Sequence, residues 1–218
     1  MERVDVRQNV LKENDRIAAE LRKKFTERGI VCLNLIASPG AGKTTLLELT
    51  LQAFVGGRRK VAVLTGDIQT DRDAERLARF GFPTRQITTG GTCHLDAAMV
   101  RRALADVPLD GVDLLFIENV GNLVCPAAYD LGEAAKIVML SVAEGDDKPM
   151  KYPSIFSRAK LMLLHKVDLL PYTRFDLAAA KADARRVNPR IEIIETSCIG
   201  APGLQAWFDW LEAARARV

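Results

Sequence analysis

The sequence lacks the features that mark membrane-spanning and secreted proteins. None of its apolar runs approaches the roughly 18–20 residues needed to cross a bilayer. The first 30 residues are charged and helix-like, so we expect no secretory signal peptide and a cytoplasmic protein. Four cysteines in 218 residues are too few for a disulfide scaffold. Without export they should be free thiols, available as metal ligands or as small buried groups.

A strong charge of one sign is also missing. Thirty-one Lys and Arg against 28 Asp and Glu leave a net charge of +3, too little and too evenly spread to favour nucleic acid or a membrane as partner. Apolar residues make up 48% and charged residues 27%, which is typical of a folded globular chain. We find no repeat, low-complexity tract or linker, and therefore expect residues 1–218 to form a single α/β domain.

Apolar runs of strand length alternate with helical patterns along the chain. An amphipathic helix is expected at about 6–28, ahead of the sheet. The predicted strands are 31–37, 61–65, 84–88, 112–118, 136–142, 161–165 and 191–196. The predicted helices that follow them are 44–55, 73–80, 95–107, 175–187 and 202–217. This alternation predicts a mainly parallel sheet of about seven strands with helices on both faces.

A phosphate-binding loop joins the first strand to its helix, with Ala37 where the first glycine of such loops usually stands. Its glycines let backbone N–H groups turn toward phosphate oxygens, and the helix N-terminus adds its positive dipole end. In such a loop Lys43 would bridge the β- and γ-phosphates and the Thr44 hydroxyl would ligate Mg²⁺. An ordinary glycine turn is the alternative, which the lysine and hydroxyl disfavour. The predicted nucleotide-binding residues are Gly40, Ala41, Gly42, Lys43, Thr44 and Thr45.

A base-recognition motif follows the sixth strand. His165-Lys166-Val167-Asp168 resembles the Asn-Lys-x-Asp guanine motif of GTPases, with His165 in place of Asn. The carboxylate of Asp168 can accept hydrogen bonds from guanine N1–H and the 2-amino group, which adenine does not offer. Lys166 would lay its stem over the base, and Ser197 and Cys198 would lie near it. A solvated strand end is the alternative, and the imidazole could hydrogen-bond to the purine or the phosphate loop without being required to.

Acidic residues at the carboxyl ends of two other strands complete a P-loop NTPase site. Asp67 and Glu118 end the predicted second and fourth strands, where solvation of a strand end is the alternative role. Gly121 is predicted to sense the γ-phosphate and bind nucleotide. Asp71 and Asp73 follow in the next loop, with Asp73 the stronger candidate for Mg²⁺. The predicted magnesium residues are Thr44, Asp67, Asp73 and Glu118, and the predicted catalytic residues are Lys43, Asp67 and Glu118.

Two further segments carry soft metal ligands. Cys93 and His94 open the predicted helix after the third strand, and Cys125 follows the Glu118 segment. Two thiolates and an imidazole form a good ligand set for Zn²⁺ or Ni²⁺, although each residue alone would be unremarkable. Three ligands do not close a tetrahedral site, so water or a second subunit must complete it. Cys32, inside a strand, is expected in the core.

The chain resembles the HypB family, the GTPases that insert nickel during maturation of nickel–iron hydrogenases. The matching stretches are NLIASPGAGKTTLLE (34–48), GD (66–67), GGTCHL (90–95), IENVGNLVCP (117–126) and SVAEGDDKPMKYP (141–153). The resemblance implies a SIMIBI-type G domain that binds GTP and Mg²⁺ and hydrolyses GTP at a low intrinsic rate. It implies that Cys93, His94 and Cys125 bind Ni²⁺ or Zn²⁺ at a GTP-dependent homodimer. Lys148 and Lys151 would lie at the base or the subunit interface.

The same resemblance implies two further partners: a nickel-delivery accessory protein and the hydrogenase large-subunit precursor. The chain departs from the family pattern at His165, and its N-terminus has no Cys-rich or His-rich nickel motif. With two histidines in all, it is not expected to store nickel. Three alternatives stay open: a urease-type nickel-insertion GTPase, a nucleotide-switched metal carrier with negligible turnover, and an ATP-dependent transferase. The urease branch usually carries a Cys-Pro-His motif, whereas here Cys93 and His94 are adjacent.

Overall fold

The computed structural model describes residues 6–69 and 71–216, with side chains described from residue 9, and in these residues seven strands form one parallel sheet. The strands are β1 (Val31–Ala37), β2 (Val61–Asp67), β3 (Thr84–Thr88), β4 (Leu114–Glu118), β5 (Ala135–Ser141), β6 (Ala159–His165) and β7 (Glu192–Thr196). Their order is β3-β2-β4-β1-β5-β6-β7, and every neighbouring pair is parallel. The predicted fold class, an α/β P-loop sheet of seven strands, is confirmed.

Helices cover both faces of this sheet. They are α1 (Val6–Glu27), α2 (Lys43–Phe54), α3 (Arg72–Ala78), α4 (Ala97–Ala103), α5 (Lys148–Lys151), α6 (Pro153–Arg158), α7 (Leu177–Val187) and α8 (Leu204–Arg215). Short 3-10 turns occupy Leu104–Asp106, Cys125–Ala128 and Val167–Tyr172. No helix within the described ranges is both long and apolar enough to span a bilayer.

Element boundaries differ from the predicted ones by a few residues, for local reasons. The predicted helix 95–107 begins only at Ala97, because the Asp96 side chain caps it by accepting a hydrogen bond from Met99 N at 2.7 Å. The predicted strand 61–65 continues to Asp67, so this acidic residue is the last one of β2. Residues 148–158 form two short helices that the sequence did not predict. Position 217, the predicted end of the last helix, lies outside the described residues.

The strand side chains alternate between two buried layers. Leu33 and Leu35 of β1 pack with α2 and α8, where Trp207 is fully buried. Cys32, as expected, lies in the core on the opposite face, which α1 and α4 cover. Because parallel strands point the same way, β1, β2, β4, β6 and β7 deliver their carboxyl ends to one edge of the sheet. The strand order reverses beside β1, which is where open α/β sheets form a ligand crevice.

Candidate functional site

A cavity of about 1010 Å³ opens at this edge, and we call it the nucleotide cleft. It brings together most of the residues predicted to bind nucleotide or Mg²⁺. These are Gly40, Gly42, Lys43, Thr44, Thr45, Asp67, Asp73, Glu118, Gly121, Lys166, Asp168, Ser197 and Cys198. Ala41, within the phosphate loop, is buried and does not line the cleft. Asp71 precedes α3 and also does not line it.

The loop from Ser38 to Gly42 turns directly into α2, whose first residue is Lys43. Gly42 has φ 106°, a left-handed conformation that suits glycine and aims the following N–H groups into the cleft. Lys43 is buried at the floor of the cleft, and this burial lowers the pKa of its ammonium group. A buried cation at a helix N-terminus is a strong attractor for phosphate.

Thr44 and Glu118 meet at the end of the phosphate loop. The Thr44 hydroxyl donates to Glu118 Oε1 at 2.7 Å, and Glu118 is 4% exposed. Burial raises the pKa of Glu118 to about 7. Among the described residues nothing hydrogen-bonds to Glu118 Oε2. A buried carboxylate oxygen without a partner, beside a threonine hydroxyl, fits a magnesium site that is completed by phosphate oxygens and water.

Asp67 and Asp73 approach the same end of the cleft from β2 and α3. Asp67 Oδ1 accepts from Gln69 N at 2.8 Å, which fixes the turn after the strand. Arg76, which the sequence analysis missed, lines the cleft and donates to Asp73 Oδ1 at 3.2 Å. It also forms a two-point ion pair with Glu48 on α2. The spacing of three residues between Asp73 and Arg76 on a helix is the signal that could have revealed this pairing.

The residues predicted to recognise the base gather at the other end of the cleft. The Ser197 hydroxyl donates to Asp168 Oδ1 and so orients that carboxylate. Lys166 adopts the left-handed conformation (φ 61°) and donates to Gly40 O at 2.8 Å, linking this end to the phosphate loop. His165 is buried with Nδ1 hydrogen-bonded to Thr196 Oγ1 at 2.8 Å. Burial raises the pKa of the Cys198 thiol to about 11, so this cysteine is a neutral contact.

Gly121 lies against the phosphate loop. A Cβ placed on Gly121 would lie 3.0 Å from Pro39 Cα, so a larger residue here would require the phosphate loop to shift slightly. Its role as a γ-phosphate sensor stays a prediction. Lys148 and Lys151 do not line the cleft: Lys148 Nζ donates to Ser38 Oγ at 2.7 Å, and Lys151 pairs with Asp147.

The predicted soft-metal ligands converge although Cys93 and Cys125 are 32 positions apart in the chain. Cys93, His94 and Cys125 place their ligand atoms within 4.8 Å of one another, and no other group of three such ligands was found in the described part of the chain. The His94 ring stacks on Tyr129 with centroids 3.9 Å apart, which fixes its plane. Burial lowers the pKa of His94, favouring the neutral imidazole that binds metals.

The two thiols are hydrogen-bonded to each other, with their sulfurs 2.7 Å apart. This contact raises the pKa of Cys93. Two sulfurs bound to one tetrahedral metal at about 2.3 Å would lie roughly 3.8 Å apart. Metal binding therefore requires the two sulfurs to lie further apart than they do here, which rotation of either cysteine side chain can provide.

Comparisons with known proteins agree with this geometry. A family model described as "CobW/HypB/UreG, nucleotide-binding domain" matches residues 31–195. The hydrogenase maturation factor HypB of Azotobacter vinelandii is 54% identical over 211 residues, which cover 96% of this chain and 69% of that protein.

Two crystal structures share the fold at 41% identity. HypB from Archaeoglobus fulgidus superposes with a TM-score of 0.87 over 94% of this chain and 99% of its own. HypB from Helicobacter pylori in complex with nickel gives 0.88 over 94% and 96%. Since the likeness in sequence and structure extends over nearly all of these residues, the resemblance drawn from the motifs is confirmed: the chain belongs to the HypB family.

Proposed function

We propose that this protein is a cytoplasmic, single-domain GTPase of low intrinsic rate that acts as a nickel metallochaperone. It assists nickel insertion into the large-subunit precursor of a nickel–iron hydrogenase, and a nickel-delivery accessory protein supplies the metal. GTP binding favours a homodimer and changes the metal site. The observation that carries the proposal is that one short segment, residues 118–125, holds both the magnesium candidate Glu118 and the metal ligand Cys125. We call it the switch segment.

The proposed hydrolysis depends on placing charge around the phosphates. Lys43 and the N–H groups at the start of α2 would bind the β- and γ-phosphates. Thr44, Glu118, Asp67 and Asp73 would hold Mg²⁺, which neutralises charge on the leaving phosphate when it is bound. Asp67 would also orient the attacking water. Asp168 would select guanine over adenine by accepting from N1–H and the 2-amino group.

Nickel is the cargo in this proposal, and the chemistry of its site supports that role. Two thiolates and an imidazole bind Ni²⁺ or Zn²⁺, and three ligands leave a coordination position for water or a second subunit. A relative whose structure contains nickel supports nickel as the metal delivered. An incompletely closed site also suits a carrier, because a cargo ion must leave as well as bind.

The test is metal titration in two nucleotide states. Ni²⁺ would be titrated into the protein loaded with GDP or with a non-hydrolysable GTP analogue, while the molecular mass is measured at matched protein concentration. We expect a different nickel affinity in the two states and a dimer with the analogue. Equal affinities and equal masses would show that nucleotide state and nickel binding are not coupled, which would leave a GTPase with an incidental thiol site.

Two of the alternatives are separated by simple measurements. A carrier that only uses GTP as a switch would release nickel on GTP binding alone and show negligible turnover. An ATP-dependent transferase would bind ATP more tightly than GTP in a competition assay. The urease-type role differs only in the client protein. Measuring whether this protein activates a hydrogenase precursor or a urease apoprotein distinguishes the two roles.

A further inference from the structure

Three asparagine side chains hold the backbone of residues 89–97, which we call the metal loop because it contains Cys93 and His94. The hydrogen bonds are Asn122 Nδ2 to Cys93 O (3.3 Å), Leu95 N to Asn119 Oδ1 (3.3 Å) and Ala97 N to Asn14 Oδ1 (2.8 Å). Two of the three asparagines belong to the switch segment, and the third belongs to α1. The metal loop is thus fastened on one side to the element that carries Glu118.

Asn119 is fixed in place by further buried contacts. It is 1% exposed, and its Nδ2 donates to Asn34 Oδ1 at 3.2 Å. Asn34 in turn donates to Glu133 Oε1 at 3.2 Å. Rotating the Asn119 amide away would leave buried polar groups unpaired, which is costly. A displacement of the backbone at residue 119 is therefore passed to Leu95 and is not absorbed by a change of side-chain rotamer.

Asn122 makes the more direct connection. While its Nδ2 donates to Cys93 O, its Oδ1 accepts from Val124 N at 2.8 Å, one residue before Cys125. One amide group therefore fixes the backbone of both cysteines relative to each other. Because the two cysteines must present their sulfurs to one metal, the position of this amide affects the distance between them.

The same segment lines the nucleotide cleft along residues 118–121. Glu118 accepts from Thr44, and Gly121 packs on Pro39 of the phosphate loop. A γ-phosphate and Mg²⁺ in the cleft would therefore displace the segment at residues 118–121, next to both asparagines.

We propose that Asn122 and Asn119 are positioning residues that carry the nucleotide state from the switch segment to Cys93 and His94. Cys125 moves with the switch segment because it is part of it. Cys93 and His94 move with the segment because the two amides hold the metal loop. Asn14 holds the other end of the metal loop on α1. This inference rests on the proposed function, since it requires a metal site that responds to GTP.

The test is the ratio of Ni²⁺ dissociation constants in the GDP and GTP-analogue states, read from the thiolate-to-nickel charge-transfer band. Asn122→Ala should move this ratio toward one by about two- to tenfold, the effect of one hydrogen bond. The ratio of GTP affinities with and without nickel should move toward one by the same factor, because linkage is reciprocal. GDP affinity of the metal-free protein should not change, since Asn122 is not among the described residues that line the cleft.

Two variants separate coupling from structural support. Asn122→Asp keeps the acceptor for Val124 N but loses the donor to Cys93 O, so it should reduce the ratio as the alanine does. Asn188→Ala removes a comparable half-buried amide, bonded to Phe156 O and Ala159 O, and should leave the ratio unchanged.

The outcomes distinguish this inference from the function it rests on. If both nickel affinities of Asn122→Ala change by one factor and the ratio persists, Asn122 is merely structural and the inference is wrong. A wild-type ratio of one would overturn the coupling in the proposed function as well. A wild-type ratio different from one that falls in both Asn122 variants, but not in Asn188→Ala, supports the inference.

Discussion

The imidazole of His165 fills the space that a side chain on Gly42 would need. A Cβ built on Gly42 would lie 2.8 Å from both Cδ2 and Nε2 of His165. His165, which stands where the guanine motif has asparagine, therefore packs directly on the phosphate loop. Its Nδ1 is hydrogen-bonded to Thr196 Oγ1. This contact joins the base end of the cleft to its phosphate end. The packing at both ends therefore requires the neutral form of the imidazole.

We predict that His165 makes folding stability depend on pH. Burial, reinforced by the nearby charge of Lys166, lowers the pKa of His165 to about 4. In the unfolded chain its pKa is about 6.5, so between these values the unfolded state binds a proton that the folded state does not. Stability from this group is complete above about pH 6.5 and falls as the pH drops toward 4. The loss is on the order of 2–3 kcal/mol, measurable as the urea unfolding free energy at several pH values.

His165→Asn provides the comparison, since it removes the titrating ring and restores the guanine motif. The difference in unfolding free energy between the wild type and this variant should change between about pH 4 and 6.5, while the opposite contribution of Glu118, whose pKa is raised to about 7, stays in both. The variant should keep its guanine preference. His94→Asn, at the other histidine of the chain, should retain most of that dependence. An identical pH profile for wild type and His165→Asn would contradict the assignment.

Asp168→Asn tests the recognition of guanine. The carboxylate accepts from the Ser197 hydroxyl and faces the base end of the cleft, and the substitution turns one of its acceptors into a donor. We expect GTP affinity to fall about ten- to a hundredfold, the cost of about 1–3 kcal/mol for a lost buried hydrogen bond. Competition with a fluorescent nucleotide measures it. Asp209→Asn, an exposed site on α8, is the matched control. Equal competition by ATP and GTP in the wild type would refute the base site.

The strands could be predicted because their signal is local. Residues 31–37 and 84–88 were predicted with the observed bounds, since apolar or β-branched runs between glycine and polar turns specify strands without knowledge of their neighbours. The phosphate loop is equally local. Helices α5 and α6 were missed because Pro149 and Pro153 interrupt the helical pattern, although proline is tolerated in a first turn.

The parts of the site that could not be predicted depend on contacts between distant residues. Nothing in the spacing of Cys93 and Cys125 requires their sulfurs to touch, and the resemblance to a family supplied that pairing. Asn119 and Asn122 carry no catalytic chemistry, so only the fold reveals that they hold the metal loop. The spacing of Asp73 and Arg76 could have revealed that local pair, but not the ion pair of Arg76 with Glu48 on another helix.

Lys43→Ala tests the phosphate site itself. Removing a buried cation from the helix N-terminus should abolish tight binding of GTP and GDP and therefore hydrolysis, by at least about a hundredfold. The fold should persist, because burial without a phosphate already disfavours the charged form of Lys43. Calorimetric nucleotide titration measures the loss, and Lys23→Ala on the exposed face of α1 is the control. Hydrolysis at the wild-type rate in Lys43→Ala would show that the phosphate loop is wrongly assigned.

Cys93→Ala and Cys125→Ala test the cargo site. Each variant leaves two of three ligands, so nickel binding at this cluster should weaken by at least about tenfold, while GTP analogue binding without metal persists. Both thiols are half-buried, and neither lies in an α-helix or a strand, so thermal stability should change little. Maturation of the client hydrogenase in a strain that depends on this protein should fail. Cys32→Ala is the matched control: it creates a small cavity in β1, costing about 1 kcal/mol of stability, and should leave nickel affinity intact. If both cluster variants bound nickel as the wild type does, the metal would have to bind elsewhere, and the link between GTP and nickel would lose its structural basis.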